Sequence, residues 1–172
     1  MRELAVTVLG HDRPGIIASA SRILAGLGVN LTDSTMTRLQ GHFAMTLVCA
    51  GEPTPAEVEA ALGPLSADGS LLVTVREIAQ EAPVRDTGRP YVLSLHGADR
   101  LGIVAAVTAP LADVGGNITA LTTRLAGDLY VLIAEVDLPS NVDADALAAR
   151  LMEVSRQLGV ETSLRPADAD LL

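Results

Sequence analysis

Two segments place an aspartate beside an arginine just ahead of a glycine: Asp12-Arg13-Pro14-Gly15-Ile16 and Asp99-Arg100-Leu101-Gly102-Ile103. Each glycine stands where a loop enters a helical pattern, and the unpaired amides and dipole of a helix start can receive a carboxylate. Asp12 and Asp99 can accept the α-ammonium of a bound zwitterion, or cap the helix by accepting from its first amides, which is the expected role. Arg13 and Arg100 can reach a ligand carboxylate, a carboxylate on a neighbouring domain, or solvent. A second reading of Gly15 and Gly102 is steric, the missing Cβ letting the helix approach the strand before it. Asn30 and Asn117 follow the glycine-containing helix ends, where asparagine tolerates a left-handed backbone and bonds to nearby amides.

The two loops differ in detail. Ala98 stands in place of His11, Leu101 in place of Pro14, and His96 in place of Leu9. The two sites therefore need not take the same ligand. No cysteine or clustered acids accompany His11 or His96, so neither a triad nor a metal site is expected, and loop histidine is the favoured reading.

These segments belong to an internal repeat. Gly10 returns as Gly97, and the register runs unbroken from Leu4 against Tyr91 to Gly51 against Leu138, with identities that include Gly15/Gly102, Gly28/Gly115, Asn30/Asn117 and Thr35/Thr122. Repeated units must be settled before any fold is assigned. Leu4–Val8 alternates like a half-buried strand that ends at the turn signal Gly10. Pro14 suits the first turn of a helix whose stripe is Ile16, Ala20, Leu24 and Leu27, with Gly28 as its stop; Ile103, Val107, Leu111, Val114 and Gly115 repeat the pattern. Asn30–Leu39 with His42–Ala50, and Asn117–Leu125 with Leu129–Asp137, read as hairpins. Thr54-Pro55-Ala56-Glu57 has the form of a capping box ahead of Val58, Leu62 and Leu65, and Leu147, Leu151, Val154 and Leu158 mark its counterpart. Leu71–Val75 and Val160–Leu164 complete the units, giving βαββαβ twice, the ferredoxin-like order of an α+β fold with antiparallel sheets and helices on one face. The expected domains are 1–79 and 91–166, joined by a breaker-rich linker over 80–90 and followed by a tail over 167–172, expected to be disordered.

Composition narrows the function. A net charge of −9 argues against direct nucleic-acid binding, since phosphate affinity depends on clustered cations. All 12 basic residues are arginine, which excludes lysine Schiff-base chemistry and a P-loop. The aromatic residues are Phe43, Tyr91 and Tyr130, too few for stacking on RNA. No apolar stretch approaches the ~20 residues of a membrane helix, and the N-terminal residues lack the pattern of a secretory leader. A cytoplasmic address is expected. Cys49, the single cysteine, lies in an alternating apolar run and is expected to be a buried small hydrophobe.

The pattern Gly-x-Asp-Arg-x-Gly-Ile at the end of strand one, then the helix, then Gly-x-Asn at the entry to strand two, resembles the ACT domain, and both halves carry it. Two such domains resemble the small ACT-repeat regulators of the glycine cleavage repressor type. The resemblance implies a regulatory protein with no catalytic residues and no cofactor, which binds a small amino acid such as glycine or serine and oligomerises by ACT–ACT packing. It would signal to a partner protein, a regulator or an enzyme, with transcriptional control of amino-acid metabolism as one output. The ligand residues it implies are His11, Asp12, Arg13, Pro14, Gly15, Ile16 and Asn30 in the first half, with Asp99, Arg100, Leu101, Gly102, Ile103 and Asn117 in the second. The alternative is an ACT module without a ligand that docks on an enzyme as a regulatory subunit.

Overall fold

A computed structural model describes residues 1–79 and 88–167. The chain divides into two compact units, Met1–Ala82 and Pro83–Leu172. In the first unit the elements are β1 (Arg2–His11), α1 (Ile16–Gly26), β2 (Asn30–Leu39), β3 (His42–Gly51), α2 (Pro55–Ser66) and β4 (Leu71–Ile78). In the second they are β5 (Arg89–Ala98), α3 (Ile103–Asp113), β6 (Asn117–Ala126), β7 (Leu129–Leu138), α4 (Ala144–Leu158) and β8 (Val160–Pro166). Each unit is a four-stranded antiparallel sheet, ordered β2-β3-β1-β4 and β6-β7-β5-β8. This is the ferredoxin-like arrangement, made twice.

Alternation along the strands selects the face that the helices cover. Leu4, Val6 and Val8 of β1 and Phe43, Met45, Leu47 and Cys49 of β3 point to one side, where Ile16, Ala20, Leu24, Val58 and Leu62 close the first core. Leu93, Leu95, Leu132, Ala134 and Val136 do the same in the second unit against Val107, Leu111, Leu147 and Leu151. Cys49 is fully buried, and burial pushes its thiol pKa up, so the sulfur packs as a hydrophobe. Ser155 is a buried polar residue of the second core; its hydroxyl donates to the Leu151 carbonyl at 2.7 Å and meets Thr162 Oγ1 at 2.6 Å, tying α4 to β8.

Several local expectations need correction. Strand β1 does not end at Gly10 but runs through it to His11, and β5 runs through Gly97 to Ala98. The glycines let the last strand of each unit come close: a Cβ on Gly10 would meet the Ser70 carbonyl oxygen at 2.1 Å, and one on Gly97 would meet Val160 Cγ1 at 2.7 Å. Pro14 is not in the first helical turn, because α1 begins at Ile16 with Gly15 as its N-cap. Strand β5 begins at Arg89, within the segment expected to be the linker. Residues 80–87 of that segment, and 168–172 of the expected tail, lie outside the described residues, while Ala167 donates its N–H to the Pro90 carbonyl at 2.9 Å.

The capping box of α2 forms as the sequence predicts. The Glu57 N–H donates to the Thr54 hydroxyl, and the Thr54 N–H and Oγ1 both contact Glu57 Oε2 at 2.8 Å. The Thr54 backbone amide first, and its hydroxyl second, hold the Glu57 carboxyl below its ordinary pKa. A carboxylate with a lowered folded pKa adds stability above its unfolded value, about 4.3 for glutamate, which is lost as the pH falls through the lower folded value. Glu57→Gln is therefore expected to flatten the acid limb of the stability profile of this unit, with little change in its secondary structure at neutral pH. Urea denaturation across the acid range checks this, and an unchanged limb would contradict it.

Candidate functional site

The loop between β1 and α1 is shaped by its glycine. Gly15 adopts φ 90° and Gly102 adopts φ 87°, the left-handed conformation that favours glycine, and a Cβ at either would meet nothing within 4 Å. Backbone conformation, not close helix–strand approach, is thus the reason for glycine. Neither helix has a side-chain cap, so Asp12 and Asp99 do not cap as expected. The left-handed glycine takes the N-cap position, and the aspartate lies three residues before it. Ser19 and Ala106 are the first residues to donate N–H to an i−4 carbonyl, those of Gly15 and Gly102, each at 2.9 Å. Of the amides ahead of them, that of Ile103 donates to the Arg100 carbonyl at 3.4 Å, and the rest of the first turn has the usual orphans of a helix start.

The polar side chains are placed differently in the two units. In the first, Asp12 faces Arg38 of β2 across 3.7 Å, and Arg13 Nη2 donates to the Leu65 carbonyl at the end of α2 at 2.9 Å, with Asp68 4.0 Å away. The guanidinium thus serves the negative end of α2. Asp68 accepts from the Ser70 hydroxyl and, next, from its amide, and both hold its carboxyl below the usual aspartate range. In the second unit Leu125 stands at the repeat position of Arg38, and only Gly159 separates α4 from β8, so the counterpart of the Asp68 turn is missing. Among the described residues, Asp99 and Arg100 make no side-chain hydrogen bond or ion pair. Arg100 lies over the α4 terminus, its Nη2 3.7 Å from where a Cβ on Gly159 would be.

A depression of about 390 Å³ opens at this second loop, lined by Asp99, Arg100, Leu101, Gly102, Ile103, Val104, Ala105 and Tyr130. Leu101 is fully exposed on its rim, as Pro14 is exposed in the first unit. Ile16 and Ile103 are core side chains, 3% and 2% exposed, so only their backbone can serve a ligand. His11 closes the β1–β3 ladder opposite His42 and is exposed. Asn30 and Asn117 are exposed first residues of β2 and β6, while the left-handed positions are Gly28 and Gly115. The register sets Asn30 against Ala50, which pairs with Glu3, and Asn117 against Asp137, which pairs with Pro90. Each asparagine is therefore at the opposite end of its own sheet from the loop. The structure does not bring the two parts of the motif together within a unit.

Tyr130 was not among the residues expected at the site. It occupies the repeat position of Phe43, opposite Gly97 in the ladder, and it is half-buried where Phe43 is 2% exposed. The one sequence signal was this exchange of an apolar ring for a phenol. A hydroxyl at the edge of a depression can both donate and accept a hydrogen bond.

The family model described as the ACT domain matches residues 2–76 and again 89–165, the two units in turn. The chain belongs to the ACT-domain family.

Among curated relatives, a UPF0237 protein of Methanosarcina mazei is 29% identical over 80 residues, 46% of this chain and 87% of that protein. One of Listeria monocytogenes is 41% identical over 44 residues, 26% of this chain and 49% of that protein. The chain thus spans about half the length of the first of the curated relatives it matches. Among solved structures, an unknown protein from Galdieria sulphuraria is 30% identical at a TM-score of 0.78, over 97% of this chain and 99% of that one. A candidate glycine cleavage system transcriptional repressor superposes at a TM-score of 0.72 with 18% identity, over 97% and 98% of the two chains, a likeness of fold. ACT domains are regulatory, and this chain is a tandem of two. No helix among the described residues is long and apolar enough to cross a membrane, and no group of three or more His, Cys, Asp or Glu among them could hold a metal ion.

Proposed function

We propose that this tandem ACT protein is a non-enzymatic cytoplasmic regulator that binds a small amino acid in the second-unit loop and passes its occupancy to a partner protein. The observation that carries the reading is the depression in which Asp99, Arg100 and Tyr130 surround the start of α3. Arg100 and the first-turn amides would take the ligand carboxylate, Asp99 its ammonium group, and the Tyr130 hydroxyl a short polar side chain such as that of serine. Glycine would fill the same places without the last contact. The first-unit loop, whose Asp12 and Arg13 are engaged within the unit, would serve structure or partner docking.

Signalling would follow from linkage. A ligand that favours one arrangement of the protein shifts the population toward it, and a coupling of ~1–3 kcal/mol changes partner affinity about 5- to 150-fold. With a net charge of −9 the partner is a protein, not DNA, also where the output is transcriptional. The likeness to a candidate glycine cleavage repressor supports amino-acid metabolism as the setting.

A thermal-shift screen of the full chain against the twenty amino acids at millimolar concentration tests the reading. A ligand that binds only the folded state raises stability by RT ln(1 + [L]/Kd), so a selective rise for one or two small amino acids is expected. A flat screen would turn the reading toward a ligand-free docking module.

A further inference from the structure

The chain holds three histidines, His11, His42 and His96, and the fold brings two of them together. His11 is the last residue of β1 and His42 the first of β3, and they are direct partners in the β1–β3 ladder. Phe43, the next residue, is buried against the helices, so His42 belongs to the opposite face of the sheet, and its ladder partner His11 shares that face. Both are exposed. At the same place the second unit has Ala98 opposite Leu129. Among the described residues neither His11 nor His42 engages its ring in a hydrogen bond or an ion pair, whereas the Nε2 of His96 lies 3.1 Å from the Glu161 carboxylate.

Two backbone features fix the spacing of the pair. The His11 N–H donates to the carbonyl of Ser70, just ahead of β4, at 2.9 Å, and so points away from β3. His11 and His42 are therefore a non-hydrogen-bonded pair, the closer kind, with Cα atoms about 4.5 Å apart. His42 is held from its other side as well. Gln40 and Gly41, at φ 53° and 84°, make a two-residue hairpin turn with both positions left-handed, and Leu39 closes it opposite His42. Imidazoles on two such neighbouring positions can converge to a separation of about 3 Å, that of two nitrogens each ~2.0–2.1 Å from one ion.

We propose that His11 and His42 together chelate one late first-row dication of the Zn²⁺, Ni²⁺ and Cu²⁺ class, with water in its remaining positions. Imidazole is a ligand these ions favour, whereas Mg²⁺ and Ca²⁺ favour oxygen donors. The site is a pair and not a closed cage. Asp12, next along the chain, faces Arg38, and among the described residues no third His, Cys, Asp or Glu completes a metal-holding group. The sequence alone gives no hint of it, because no second histidine or cysteine stands near His11 along the chain. The register supplies the partner from thirty-one residues further on. A bound cation would tie β1 to the β2–β3 hairpin at the point where β1 enters the Asp12–Gly15 loop. The proposal does not depend on amino-acid binding in the second unit, whose loop Asp99–Gly102 holds no histidine.

Calorimetric titration of the untagged full chain with Ni²⁺ alone tests it. One ion per chain is expected to bind, with Mg²⁺ far weaker. His11→Gln and His42→Gln should each weaken Ni²⁺ by about tenfold or more, since each leaves a single imidazole, while His96→Gln should leave the affinity unchanged. Circular dichroism confirms that each variant is folded, as expected for exposed side chains. In proton NMR spectra, substoichiometric paramagnetic Ni²⁺ should broaden the ring signals of His11 and His42 together and spare those of His96. Excess Ni²⁺ should also raise the urea midpoint of the first unit in the wild type and in neither variant, because the two ligands come together only in the folded chain. That readout separates a chelate from scattered binding to carboxylates on a chain of net charge −9. Absence of Ni²⁺ binding, single variants that bind like the wild type, Mg²⁺ of equal strength, or loss of binding in His96→Gln would overturn the proposal.

Discussion

Gly10→Ala is expected to destabilise the first unit by about 3 kcal/mol or more, since overpacking against backbone and a glycine-only conformation each cost roughly 1–3 kcal/mol. The added methyl would lie 2.1 Å from the Ser70 carbonyl oxygen and 2.9 Å from the Leu71 Cα, and Gly10 has φ +155°. The Ser70 carbonyl cannot simply move away, because it accepts the His11 N–H at 2.9 Å. Relief means parting β4 from β1, and with it Leu71 and Val73 from the core. Gly97→Ala is a milder test, since its nearest neighbour at 2.7 Å is the Cγ1 of Val160, although the Val160 Cα lies at 3.0 Å. Both tyrosines of the chain, Tyr91 and Tyr130, are in the second unit, so tyrosine fluorescence reports that unit while far-UV circular dichroism reports both. In urea, Gly10→Ala should shift the dichroism transition that the tyrosine signal does not follow, and Gly97→Ala should shift the tyrosine signal itself. A Gly10→Ala midpoint equal to that of the wild type would show that the β1–β4 approach is not restrictive.

The same pair of glycines marks the boundary of what could be read from sequence. Periodicity located the strands and helices because burial on one face imposes it, and Thr54-Pro55-Ala56-Glu57 announced α2 because a capping box is local. Gly10 was read as the end of a strand because glycine commonly ends one. Its actual task is set by Ser70, sixty residues away, and no local pattern encodes such a neighbour. Asp12 was misread for a related reason. The residue type suits a cap, but the left-handed Gly15 already holds the N-cap, and Arg38 on another strand takes the carboxylate. The loop itself was legible, since Gly15 and Gly102 recur at one place in the repeat. The role of Tyr130 was not, because only the ladder partner Gly97 brings it beside that loop.

Comparing the halves then shows how one backbone can take two chemistries. Exchange of Arg38 for Leu125 removes from the second unit the group that faces Asp12 in the first, and exchange of the Asp68 turn for the single Gly159 leaves Arg100 beside the α4 terminus without the carbonyl hydrogen bond that Arg13 makes to Leu65. Neither exchange disturbs the ladders, since the pairs Arg38–Phe43 and Leu125–Tyr130 occupy equal registers, as do Gly10–Leu71 and Gly97–Val160. The fold is thus indifferent to a change that decides whether an aspartate and an arginine are engaged within the unit or presented to a ligand.

Arg13→Ala and Arg100→Ala should therefore separate stability from binding. Arg13 donates to the Leu65 carbonyl at 2.9 Å in a partly buried contact, and its loss is expected to cost the first unit about 1–2 kcal/mol. The 4.0 Å approach to Asp68, between two half-exposed groups, adds little. Ligand affinity should be unchanged. Arg100→Ala should leave the urea midpoint of the second unit near that of wild type, while weakening the amino acid that gives the largest thermal shift roughly 10- to 100-fold, the usual worth of a charge-assisted hydrogen bond. Calorimetric titration of both variants, with urea denaturation alongside, reads the two effects separately. If instead Arg13→Ala abolished binding and Arg100→Ala spared it, the working loop would be the first one, and the intra-unit contacts of Arg13 would have to break when the ligand enters. Loss of binding in both would place ligand at both loops despite their different surroundings, so that the engagement of Asp12 and Arg13 is an equilibrium that ligand displaces.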